Sequence, residues 1–247
     1  HGSDLDSWAD ESPLNNLNST FTSKSIFKFI PRIVGRNLIN LVISRQFLGL
    51  VNSDKVIYFP IGFNESGDRV VKKIIEHNVD YHPRYDISFE PLKHESREFK
   101  NNNEKLVIFS GVRFTYLTFT EGNKGYSKGN DIIIKGLARF YQEYKNIEIH
   151  FVEKGIDFEE AKKLCKEEGI SDVVKWHKEM KFTELLKLYN KSDICFDQVG
   201  QHWISAIGAY ALFLGKPLIA NDTHPVEVGL WPTDNPVLTA SNEHEVF

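Results

Sequence analysis

Two short apolar runs, Ile194-Cys195-Phe196 and Leu218-Ile219-Ala220, flank a helix-length segment that ends in Gly215-Lys216-Pro217. Ile, Cys and Phe follow one another without polar alternation, which is the mark of a strand covered on both faces. Between the runs lies a polar loop, Asp197-Gln198-Val199-Gly200, and a segment from Gln201 to Leu214 that reads as a helix. A buried strand, a loop, a helix and a second buried strand form one βαβ unit of a parallel sheet. Ligands of such sheets sit beyond the carboxyl ends of the strands, and a helix start there offers free N–H groups to an anion. The loop and helix start are therefore expected to form the floor of a site for a phosphorylated ligand.

The rest of the chain repeats the alternation. Strands are expected at Leu106–Val112, Ile147–Val152 and Val173–Trp176. Helices are expected from Asp131, with Ile133, Leu137, Phe140 and Tyr144 on one stripe, and from Asp157, with Glu160 completing a capping box and Gly169 closing the helix. A further helix carries Phe182, Leu185, Leu186 and Tyr189 inward. This order implies a parallel sheet with right-handed crossovers and helices on both faces. The connection from Arg113 to Asn130 is long for a βα loop and rich in aromatics, a length usually tied to function.

Upstream, Lys55–Phe63 reads as a strand, 68–77 as a helix with Val70, Val71, Ile74 and Ile75 inward, and 79–88 as an extended piece. Residues 24–51 are apolar but carry Lys24, Lys28, Arg32 and Arg36 at intervals of four, with Arg45 further on. Pro31 places the start of the helix proper. Two readings stand: a core-packed helix with a solvated basic edge, or a surface that docks on anionic lipid at the inner membrane face. Residues 93–104 are charged and read as a linker between a domain over 1–92 and another over 105–247.

Composition sets further bounds. The 247 residues are 41% hydrophobic, enough for a sizeable core, and the net charge of −4 provides no basic field for nucleic acid. Cys165 and Cys195 sit in apolar patterns as reduced core thiols, which points to the cytoplasm. No signal peptide or membrane-spanning apolar run is present, and no histidine spacing suits a metal. Asp4-Leu5-Asp6 is an Asp-x-Asp pair of a kind common by chance. The chain opens on His1, and a fragment of a longer protein is expected.

Taken in order, Gly111-x-Arg113, Lys128-Gly129-Asn130-Asp131, Glu153-Lys154-Gly155, Asp197-Gln198 and Gly215-Lys216-Pro217 resemble the C-terminal half of retaining glycosyltransferases of family four. His1-Gly2-Ser3-Asp4 is similar to a segment of their N-terminal domain. Tyr81-His82-Pro83 with Phe89-Glu90-Pro91 looks like their entry into the interdomain linker. The resemblance implies an α/β protein of the GT-B fold, with two Rossmann-like domains, here with the N-terminal one incomplete. It implies an enzyme of surface-polysaccharide or glycolipid assembly. A sugar would pass from a nucleotide-sugar donor to a glycan or lipid-linked acceptor, without a metal or other cofactor. Arg113 and Lys128 would hold the donor diphosphate, and His1 would lie near the transferred sugar. Gly111, Gly129, Glu153, Gln198, Gly200, Gln201, His202 and Tyr210 would line the donor. The family commonly carries two glutamates eight positions apart before the Gly-x-Pro turn; here those positions hold His202 and Tyr210. That departure leaves room for a non-catalytic nucleotide-sugar-binding relative or partner subunit. A nucleotide-sugar epimerase of the same fold is a third reading.

Overall fold

A computed structural model describes residues 32–62, 65–84, 105–117, 127–200 and 204–247. The chain divides into two compact units, His1–Asp86 and Ile87–Phe247. The 93–104 linker, the Lys24, Lys28 and Pro31 positions and the Asp4/Asp6 pair all lie outside the described residues.

In the first unit, α1 (Arg32–Val51) precedes β1 (Lys55–Tyr58), α2 (Glu65–Glu76) and β2 (Asp80–Pro83). The two strands pair in parallel, Lys55 opposite Asp80, so α2 is the crossover of a βαβ unit. Val70, Val71 and Ile74 are fully buried against Val56, Tyr58 and Val79. Ile75, expected inward, is exposed, because one helical step past Ile74 carries it off the buried stripe. β1 stops at Tyr58 rather than running to 63, where Pro60 lacks an N–H and Gly62 turns the chain at φ 104°. Among the described side chains of α1, Phe47, Leu50 and Val51 touch the core, while Val34, Leu38, Leu41, Val42 and Leu48 are exposed. No helix among the described residues is long and apolar enough to cross a membrane.

The second unit is a doubly wound sheet. It runs β3 (Leu106–Ser110), α3 (Asn130–Glu143), β4 (Ile147–Val152), α4 (Phe158–Glu167), β5 (Val174–His177), α5 (Phe182–Lys191) and β6 (Ile194–Phe196). α6 (Ala206–Phe213), β7 (Leu218–Ala220), α7 (Thr223–Glu227), β8 (Val237–Thr239) and α8 (Glu243–Val246) follow. The strands lie in the order β5-β4-β3-β6-β7-β8, every pair parallel. Successive residues of each strand face opposite layers. Thus Ile108, Ile149 and Phe151 pack with Ile133 and Leu137, whereas Phe109, Cys195 and Leu218 pack with Tyr189 and Ala211. Both cysteines are buried free thiols, and burial pushes Cys165 up to about 12 and Cys195 up to about 11. The expected elements are present with small shifts. Tyr144 caps α3 in an extended conformation instead of extending its stripe. α6 starts at Ala206, later than the sequence pattern implies.

On the face of β4 turned away from Ile149, His150 Nδ1 lies 2.7 Å from His177 Nε2. Its Nε2 lies 2.7 Å from Glu148 Oε1, and Glu148 also takes Lys175 at 2.7 Å. Burial, followed by the His150 and Lys175 charges, lowers the His177 pKa, with Glu148 opposing and Lys191 adding slightly to the fall. A histidine kept neutral in the fold stabilises above its unfolded pKa of about 6.5, and that stability drains away as the pH falls toward the lower folded value. The melting temperature of the protein should therefore drop between about pH 7 and pH 5. Calorimetry on His177→Gln should give a shallower drop; an identical pH profile would mean the pair contributes nothing.

Candidate functional site

The order of the sheet reverses between β3 and β6, and ligands of open α/β sheets bind at the carboxyl ends of the strands beside such a switch. The two loops that leave this crevice carry most of the residues singled out from the sequence. After β3 come Gly111, buried against Ile207 of α6, and Arg113, which is exposed. After β6 come Asp197, Gln198, Val199 and Gly200, all buried.

The start of the β3 loop is held from several sides. The Phe114 ring is 1% exposed and sits among Phe151, Phe158 and Trp176. Its N–H donates to the Lys154 carbonyl at 2.7 Å, and its carbonyl accepts from Asp157 N–H at 3.2 Å. Gly155 passes so close, at φ 116°, that an added Cβ would lie 2.1 Å from the Phe114 oxygen. Asp157 makes no side-chain cap on α4, contrary to the capping box read from the sequence. Its carboxylate instead accepts the N–H groups of Tyr116 (2.6 Å) and Leu117 (3.0 Å). Two tertiary N–H donors outcompete the local cap. Thr115 is pinned by Asn130 Oδ1 and by Lys128 N–H, so the two ends of the long loop meet.

Those ends also meet the β6 loop. The Lys128 carbonyl accepts from Val199 N–H at 3.3 Å and Gly200 N–H at 3.4 Å. Gly129 adopts φ 66°, and a Cβ there would lie 2.5 Å from Gly200 N; one on Gly200 would lie 2.1 Å from the Ser127 oxygen. Only two glycines allow this approach. Asn221, after β7, closes the group by donating to the Gly200 carbonyl at 2.8 Å. Lys128 is half-buried. Burial lowers its pKa, the Asp197 charge opposes that fall, and the nearby Arg113 charge adds to it. Arg113, Lys128 and Asp197 thus share one electrostatic neighbourhood at the crevice.

The α6 N-terminus does not provide the open anion site expected from the sequence. Asp197 Oδ2 accepts the backbone N–H groups of Ser205 at 2.5 Å and Gly208 at 3.2 Å, and Oδ1 accepts the Ser205 hydroxyl at 2.7 Å. Ser205 Oγ in turn accepts Ile207 N–H. The protein's own carboxylate fills the position a phosphate would take.

Two other sequence candidates, Glu153 and Tyr210, contact neighbouring helices. The Glu153 carboxylate lies 3.5 Å from Lys162 of α4. The Tyr210 ring lies 4.6 Å from that of Phe182 and joins the core beside α5. His1, Gln201 and His202 lie outside the described residues. Asp197 and Asn221, which organise the crevice, were not singled out as site residues. The signal for Asp197 was present, since a carboxylate directly after a fully buried strand needs several donors. Among the described residues no group of three His, Cys, Asp or Glu is placed to hold a metal.

Gly200→Ala should force the two loops apart and destabilise the protein by about 2–4 kcal/mol in urea unfolding. Gly169→Ala, at φ 72° but with open space around it, should cost only about 1 kcal/mol. Equal costs at the two glycines would show that the loop contact is loose.

No family model matches the sequence, and no curated protein matches it significantly. Solved structures do match the fold. TarM superposes with a TM-score of 0.53 at 11% identity, over 82% of this chain and 36% of that one. A TarM variant from S. aureus, crystallised with Fondaparinux, alpha-GlcNAc-glycerol and UDP, gives 0.51 at 12% identity, over 82% and 37%. Sucrose-phosphate synthase from Thermosynechococcus elongatus gives 0.50 at 11%, over 89% and 53%. The chain thus spans roughly a third to a half of the length of these structures. Together with the parallel sheets and their strand order, these matches identify the fold as that of the GT-B glycosyltransferases.

Proposed function

We propose that the chain is a glycosyltransferase that moves a sugar from a nucleotide-sugar donor to a glycan or lipid-linked acceptor, with retention at the anomeric carbon as in family four. The observation that supports this reading is that the segments bearing Arg113 and Lys128 are tied beside the switch point, by the Lys128–Thr115 backbone bond and by the bonds of Lys128 to the β6 loop. When the bond between the anomeric carbon and the donor phosphate breaks, the electron pair leaves with the nucleoside diphosphate. Two cations, Arg113 and Lys128, would stabilise that growing charge without a metal. Arg113 can fork onto two phosphate oxygens, while Lys128 acts as a point charge. The acceptor hydroxyl gives its proton to an oxygen of the leaving phosphate, so no protein nucleophile is needed.

One observation favours a second reading. Tyr210 stands where a glutamate is usual in family four and is packed on Phe182. A protein without that carboxylate binds donor through the same two cations and transfers nothing. Donor consumption measured with and without acceptor extracts separates the two.

Titration calorimetry with UDP, GDP and ADP tests both. Arg113→Ala and Lys128→Ala should each weaken the binding nucleotide by about tenfold or more, the value of a charge-assisted hydrogen bond. Their melting temperatures should stay near wild type, since neither side chain is part of a core. Unchanged affinity in both variants would remove the basis for sugar transfer.

A further inference from the structure

We propose that α1 docks the first unit on an anionic lipid surface: its exposed aliphatic stripe enters the interface, and Arg45, set within that stripe, reaches the lipid phosphates. The proposal does not rest on the sugar-transfer reading.

α1 carries apolar residues on two sides. Phe47 and Leu50 touch the core of the first unit. Val34, Leu38, Leu41 and Leu48 recur at steps of four, three and seven, with Val42 beside them. At about 100° per residue these five fall within an arc of about 120°, on the side opposite Phe47 and Leu50. All five are exposed, by between 39% and 54%. Gly49 belongs to the same arc, and a Cβ there would meet nothing within 4 Å. The exposed side of α2, the other helix of this unit, is of the usual solvated kind, with Arg69, Lys72, Lys73 and Glu76 on it. A contiguous aliphatic stripe left open beside such a surface marks a docking face.

Charge decides what covers it. α1 holds Arg32, Arg36 and Arg45 and no acid. No Asp or Glu occurs from 12 to 53, in a chain whose net charge is −4, while Lys24 and Lys28 add to the basic side. Arg45 is exposed and stands in the middle of the arc. A protein partner that buried it would have to bring a carboxylate. A second α1, in either direction, has none to bring. At an anionic membrane the same residue is matched without one: its aliphatic stem lies along the leucines and its guanidinium meets the phosphates. Asn37, Ser44 and Gln46, exposed on the two flanks of the arc, sit at headgroup level. The helix lies along the surface and does not cross it.

The test is flotation of the full chain with vesicles of phosphatidylglycerol and phosphatidylcholine in equal parts, and with vesicles of phosphatidylcholine alone. Binding to the mixed vesicles should be about tenfold or more tighter than to the neutral ones, and should weaken as salt is raised. Leu41→Gln and Arg45→Glu should each weaken binding to the mixed vesicles by about tenfold. Their melting temperatures should stay near wild type, since both side chains are exposed. Lys72→Glu changes the charge of α2 by as much as Arg45→Glu changes that of α1, and should leave binding unchanged. Hydrogen exchange on the wild type reads the contact without any variant: the α1 amides should exchange more slowly on mixed vesicles. A protein that stays off the mixed vesicles would overturn the proposal. So would a loss in Lys72→Glu as large as that in Arg45→Glu, which would mark diffuse attraction instead of docking by α1. A concentration-dependent dimer that Leu41→Gln dissolves, with no vesicle bound, would assign the stripe to a second copy of the chain.

Discussion

The second unit depends on a contact with no side chains in it. Gly129 and Gly200 bring the loop before α3 and the loop after β6 to within van der Waals distance, backbone against backbone. A methyl group on either would occupy space already filled by a neighbouring main chain. The contact spends the Lys128 carbonyl on Val199 and Gly200 N–H groups, and Asn221 secures the Gly200 carbonyl from β7. The main chain at Lys128 is thereby held by the segments that follow β6 and β7.

Much of this was legible in the amino-acid order, for a physical reason. Leu106-Val107-Ile108-Phe109 and Ile194-Cys195-Phe196 can only be strands buried on both faces, and two-sided burial implies a parallel sheet with helices above and below. From that point the carboxyl ends of the strands are forced to one edge, and Arg113, Lys128 and Gln198 go with them. What could not be read was adjacency. That β3 lies next to β6 follows from the strand order, and this brings the Lys128 main chain onto Val199 and Gly200 of the β6 loop. The three-residue β8 was also missed. Its Val237 and Thr239 are organised by Asn235 and by Asp222, which takes Asn235 at 2.6 Å and Thr239 at 2.6 Å. Side-chain bonds between distant residues leave no periodic trace.

The misreadings share a cause. The capping box at Asp157 and the anion site at the α6 start both came from local rules. In both cases a tertiary partner took the group: Tyr116 and Leu117 took Asp157, and Asp197 took the α6 N–H groups. A local hydrogen bond and a tertiary one differ little in strength. The winner is decided by which group is buried with fewer alternatives, and that is a property of the fold.

The α6 start carries the same rule into the candidate site. A carboxylate with no exposure to water is tolerated only where donors surround its oxygens. Asp197 stands at the positive end of α6 and receives the Ser205 and Gly208 N–H groups and the Ser205 hydroxyl. With those donors spent inside the fold, an anion entering the crevice has to be met by side chains and loop N–H groups rather than by the end of this helix.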